Sequence, residues 1–138
     1  MKPKMILKSV LLAACLCLFF SCKKNPLDSI TTLRGAEINM GNGKANSFFT
    51  INSAGAPQEI GMELTADVLT GLSQNPTDFA NLTFNLPVDP KVLELTPFDH
   101  LAITWAPNGH PPVGRFDVPH FDFYFYIMTV TEQNAIAP

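Results

Sequence analysis

Residues 119–128 read Pro119-His120-Phe121-Asp122-Phe123-Tyr124-Phe125-Tyr126-Ile127-Met128. In an extended chain successive side chains leave opposite faces. Phe121, Phe123, Phe125 and Ile127 therefore share one side, and His120, Asp122, Tyr124 and Tyr126 share the other. A face of hydrocarbon and aromatic rings belongs against a core. A row of hydrogen-bonding groups belongs where a ligand can be met. The stretch is thus expected to be a strand inside a sheet, with its apolar face buried. Tyr124 and Tyr126 become candidate ligand-face residues, able to donate hydrogen bonds or to stack, or simply lining a half-buried sheet.

The segments upstream alternate in the same way. Leu101, Ile103 and Trp105 oppose His100, Ala102 and Thr104, which predicts a strand over residues 99–105. Leu82, Phe84 and Leu86 predict another, as do Ile60, Met62 and Leu64. Residues 36–40 and 46–52 flank Gly41-Asn42-Gly43, whose residues tolerate positive φ, so a hairpin is expected there. Between the third and fourth strands the period changes. Leu64, Val68, Leu69 and Leu72 fall at helical spacing behind Thr65, a residue suited to capping, and Asn75-Pro76 ends that segment. Pro87, Pro90 and Pro97 make the next region loop-like. Residues 106–118, rich in Pro and Gly, read as a loop, and Thr131 is placed to cap a last short helix. Six strands and one or two short helices predict a single, mainly β, antiparallel domain, with α+β as the alternative.

The N-terminus has a different composition. Lys2, Lys4 and Lys8 precede the apolar run 10–20, which is shorter than the roughly 20 residues of a membrane span. Ser21-Cys22 follows. A small residue before cysteine at this point resembles a bacterial lipoprotein cleavage site. Residues 1–21 are read as a lipoprotein-type signal peptide, Cys22 as the lipidated first residue, 22–32 as a tether and 33–138 as the β-rich domain. The expected location is the cell envelope, periplasmic or at the surface, with the membrane as a partner through the lipid anchor. Cys15 and Cys17 leave with the signal, so no disulfide and no cysteine zinc site can form. Losing Lys2, Lys4 and Lys8 leaves six basic side chains against twelve acidic ones, net −6, which argues against a nucleic-acid partner.

Two histidine-bearing segments lie close together in the chain. His120 and Asp122 are two residues apart and leave one strand face, about 7 Å apart at Cα from a rise of about 3.3 Å per residue. His110, in Asn108-Gly109-His110-Pro111-Pro112, sits on the loop feeding that strand and could fold back as a third ligand. Two imidazoles and one carboxylate with an open position suit Zn²⁺ or Fe²⁺. The competing readings make Asp122 an acceptor for His120 that anchors the loop, and put His110 on the surface. Glu63 reaches the site only if its strand pairs nearby. His100, beside Asp99, is expected to be exposed, and Trp105 with Pro107 to form a packing corner.

Asp99-His100, then Trp105-x-Pro107-x-Gly109-His110-x-Pro112, then Phe116-x-x-Pro119-His120-Phe121-Asp122-Phe123-x-Phe125-Tyr126 resembles a bacterial domain family of unknown function. The resemblance is dense over residues 98–126 and looser over 61–72. It implies a secreted or envelope protein. It also implies histidine at the position of Tyr124, so this chain departs from an H-x-D-x-H row, and it implies a longer C-terminal part.

Two functions remain. The first is an envelope-anchored domain that binds a partner or self-associates as a homo-oligomer, without catalysis and without a cofactor. The second is a metal-binding, possibly hydrolytic site at His110, His120 and Asp122. Convergence of those three side chains on one point favours the second; scattered directions favour the first.

Overall fold

The computed structural model describes residues 29–136. The residues read as a signal peptide, Cys22 and most of the expected tether lie outside them. The elements are β1 (Ile30–Arg34), β2 (Ile38–Met40), β3 (Gly43–Asn52), β4 (Pro57–Leu64), a 3₁₀ turn (Ala66–Leu69), α1 (Phe79–Leu82), β5 (Thr83–Pro87), α2 (Pro90–Leu95), β6 (His100–Ala106), β7 (His120–Tyr126) and α3 (Val130–Ala135). The domain is mainly β, as its alternating sequence dictates.

Two antiparallel sheets make the body. In the first, β1 and β2 pair in succession with one edge of β3, and β4 takes the other. The second runs β5-β6-β7. Alternate residues of β3, including Ala45, Ser47, Phe49 and Ile51, are buried. Met40, Ala45 and Val68 from the first sheet and its 3₁₀ turn pack on Leu86, Leu101 and Ile103 from the second. The Ser47 hydroxyl crosses between the sheets and donates to the Pro87 carbonyl at 2.6 Å. Gly35 permits that approach, because a Cβ there would collide with the same carbonyl oxygen.

Several expectations need correction. The domain starts before Leu33: Ile30, Thr31 and Thr32, read as the end of the tether, pair with Asn52, Ile51 and Thr50. The helix expected behind Thr65 is a single 3₁₀ turn, and the Thr65 hydroxyl accepts from the Lys44 amide rather than capping it. The region read as a loop from its prolines contains α2. Asp89 accepts from the Lys91 amide at 2.9 Å and Pro90 opens the helix, where its fixed φ helps and its missing N–H costs nothing. Val92 then plugs a second cluster with Phe49 and Ile51. The last helix is capped by Thr129, not Thr131.

The largest correction concerns β7. It is an edge strand, paired only with β6 among the described residues. Its apolar face overhangs the core. Phe121 is half-buried against Trp105, but Phe123, Phe125 and Ile127 are 52%, 45% and 68% exposed. The alternation set which side chains share a face. It could not supply enough facing sheet to cover them.

Candidate metal centre

Strand pairing builds the floor of the site. Antiparallel register puts Ala106 opposite His120, Thr104 opposite Asp122, Ala102 opposite Tyr124 and His100 opposite Tyr126. Directly opposed residues share a face. His120, Asp122, Tyr124 and Tyr126 therefore form a row on the face turned away from the intersheet core, as the alternation predicts.

The loop of residues 107–119 brings in the third side chain. Gly109 turns the chain at φ +68°, and a Cβ there would collide with the Phe116 carbonyl oxygen. The His110 amide donates to that same carbonyl at 2.8 Å, closing the loop on itself. His110 is thereby folded back over β7.

Its imidazole meets the other two groups. His110 Nε2 lies 3.2 Å from His120 Nε2 and 3.3 Å from Asp122 Oδ2, and His120 Nε2 lies 3.6 Å from Asp122 Oδ2. Both outer ring nitrogens face backbone carbonyls. His110 Nδ1 is 2.8 Å from the Pro111 oxygen, and His120 Nδ1 is 2.7 Å from the Val118 oxygen. A carbonyl oxygen can only accept, so each Nδ1–H donates outward and each Nε2 is turned inward toward the other two groups. Two imidazole nitrogens and one carboxylate oxygen thus converge on one point, a set that can hold a cation at its centre.

The dimensions are those of a metal–ligand set. Tetrahedral geometry sets ligand–ligand edges at about 1.63 bond lengths, or about 3.3–3.4 Å for zinc bonds of 2.0–2.1 Å. A facial octahedral set, as for iron, shortens the edge to about 1.4 bond lengths, about 3 Å. The observed triangle of 3.2, 3.3 and 3.6 Å is of the size that such ligand sets need. The hydrogen bonds to Pro111 and Val118 are the kind of outer contacts that orient ligating histidines.

Phe116 packs its ring 5.4 Å from that of His110 and 6.1 Å from that of His120, a covering role the sequence gave no reason to assign. The carbonyls of Pro111 and Val118 were equally hidden, since backbone acceptors carry no residue signature. Tyr124 lies next to Asp122 on the same face. Partial burial, then the Asp122 charge, then Tyr126 raise its pKa, so the phenol stays protonated as a donor. Its ring stacks on Tyr126 at 5.8 Å.

Other candidates are placed elsewhere. Glu63 is in the first sheet, where Arg34 grips it through Nε at 2.9 Å and through its terminal nitrogen at 2.6 Å. The hydrogen bonds raise the arginine pKa and lower the glutamate's. His100, expected to be exposed, is only 3% exposed. Its ring lies between Asp99 Oδ1 and Gln133 Oε1, each at 3.0 Å, and stacks on Tyr126 at 4.7 Å. Its place opposite Tyr126 was implicit in the alternation, but the covering helix α3 was not. Trp105 is the expected packing corner, with Nε1 donating to the Ser73 carbonyl at 3.0 Å.

Fold and site together define a mainly β domain with a surface His₂Asp cluster. Neither a family model, nor a curated protein, nor a solved structure matches the chain.

Proposed function

We propose that this domain binds a divalent transition-metal ion, Zn²⁺ before Fe²⁺, through His110 Nε2, His120 Nε2 and Asp122 Oδ2. The observation that carries the reading is the convergence of two Nε2 atoms and one carboxylate oxygen, with each ring held from behind by a backbone carbonyl at Nδ1. The motif residues Gly109, His110, Phe116, His120 and Asp122 gather around this point, which supports taking that part of the motif as the signature of the site and of its family. Three protein ligands leave a fourth position, where a bound water would be acidified for hydrolysis. The test is calorimetric titration of Zn²⁺ into wild type, Asp122→Ala and Tyr124→His. Wild type should take about one ion per chain. Loss of an outer partner already costs about 10–100-fold in affinity, so removing the ligand Asp122 should cost at least about 100-fold. Tyr124→His, which adds an imidazole to the same face, should tighten binding. No heat with any of the three would sink the reading.

A second reading rests on the open edge of β7. This domain is held at the envelope through Cys22 and self-associates by antiparallel pairing of two β7 edges. Such an edge is self-complementary about a two-fold axis. Around an axis at Tyr124, Phe123 of one copy faces Phe125 of the other. Residues 123–128 carry no charge, so that part of the edge lacks the guard residues that normally prevent pairing.

A further inference from the structure

The loop of residues 107–119 is fastened to the body in an unusual way. Pro107 is buried, yet residues 110–119 are all exposed, and residues 108–119 contribute nothing to either hydrophobic cluster. Its hydrogen bonds are mostly internal: the His110 amide to Phe116, the Arg115 amide to Pro112, the Gly114 amide to the Asp117 carboxylate. At its exit His120 donates to the Val118 carbonyl, two residues away. Among the described residues, the polar contacts that tie the far part of the loop to the strand all pass through one side chain, the imidazole of His110 against His120 and Asp122. Phe116 rides on the same imidazoles.

We propose that residues 108–119 form a flap latched by the metal ion, so that loading the site closes the flap and emptying it releases the flap. This rests on the metal-binding reading. In the closed state the ion joins His110 on the flap to His120 and Asp122 on the sheet, and Phe116 is seated over both rings. In the open state the connection through His110 is gone. The internal bonds hold the flap's own turns but do not hold it to β7. Segments with few buried contacts are the ones that open locally at small cost. The flap therefore reports occupancy as backbone accessibility, and it uncovers His120 and Asp122 when the ion leaves.

Arg115 supplies the reporter. It is the sole lysine or arginine in residues 108–119, it is exposed, and Phe116 follows it, so trypsin can cut there. The full chain is digested with trypsin in chelator and in a Zn²⁺ series, and cleavage after Arg115 is followed by mass spectrometry. Trypsin activity on a short peptide at each zinc concentration is the reference. Cleavage through an open state falls by the factor by which the ion depletes that state, about tenfold when free zinc is ten times its Kd. Wild type should show that protection. His110→Ala, which keeps His120 and Asp122, should be cut at the chelator rate with or without zinc. Zinc binding by calorimetry with unchanged cleavage would overturn the latch and leave the metal site standing. Protection that persists in His110→Ala would also overturn it. Absence of zinc binding would overturn the site and the latch together.

Discussion

His100 shows how much a single residue can carry unseen. Its chain neighbour Asp99 suggested a solvent-exposed pair, but the ring is buried and bonded at both nitrogens to side-chain groups of Asp99 and Gln133. The α3 helix has no buried residue of its own, so this contact is its described polar tie to the sheet. A buried hydrogen bond to a charged partner is worth about 1.5–3 kcal/mol, and stranded partners add cost. His100→Ala should therefore lower unfolding stability by about 2–3 kcal/mol in urea melts, with Zn²⁺ affinity unchanged because His100 lies six residues along the row from the centre. A loss of zinc affinity to match the stability loss would show that the two histidine sites are coupled. His120, Asp122 and His100 lie on one face by strand alternation and pairing. Only the partners from the loop and α3 separate a ligand cluster from a structural anchor.

At the scale of elements, short local signals decided more than periodicity. Pro90 was read as a breaker, yet behind Asp89 it starts α2. At α3, Thr129 and Glu132 form a reciprocal cap: the Glu132 carboxylate accepts from the Thr129 amide and hydroxyl, both at 2.8 Å. Those bonds, the backbone one first, hold the Glu132 pKa below its ordinary value. A depressed folded-state pKa gives stability that is present above the unfolded value and lost as pH falls through the folded one. The cap should thus be intact at neutral pH and fail in acid, below the ordinary glutamate range. Carboxylate chemical shifts of Glu132 and helical shifts across α3 should move together at that point. A midpoint at or above the usual glutamate value would contradict the cap. Thr129→Ala should fray α3 already at neutral pH, a cap loss of about 1 kcal/mol.

For the whole molecule, the question is what covers β7 and what holds the domain in place. Exposed Phe123, Phe125 and Ile127 adjoin a free sheet edge, a combination monomers usually guard. Sedimentation should therefore detect concentration-dependent dimers. Phe123→Lys places a charge beside the edge, and should shift the chain to monomer with little change in melting temperature because that ring is half-exposed. A wild type that stays monomeric at every concentration would remove the edge-pairing reading. Cys22→Ala should abolish lipid labelling and membrane fractionation; unchanged labelling would rule out lipidation at that residue.

The sequence by itself determined the mainly β class, the hairpin at Gly41-Asn42-Gly43, the strands around Leu86, Ile103 and Phe123, and the two-residue spacing that puts His120 and Asp122 on one face. These follow from backbone geometry within a few residues, which any strand of that pattern must obey. It also raised His110 as a candidate third ligand, because a Gly-Pro loop before a strand can turn back on it. Tertiary structure decided the rest. It made β7 an edge rather than an interior strand, since strand order depends on partners far away in the chain. It buried His100 under a helix thirty residues on, and it joined Ile30–Arg34 to the first sheet through a pairing that no local pattern announces. It also set the 3.2–3.6 Å triangle of the candidate centre, because that distance depends on how a thirteen-residue loop closes, not on the spacing of the residues it carries.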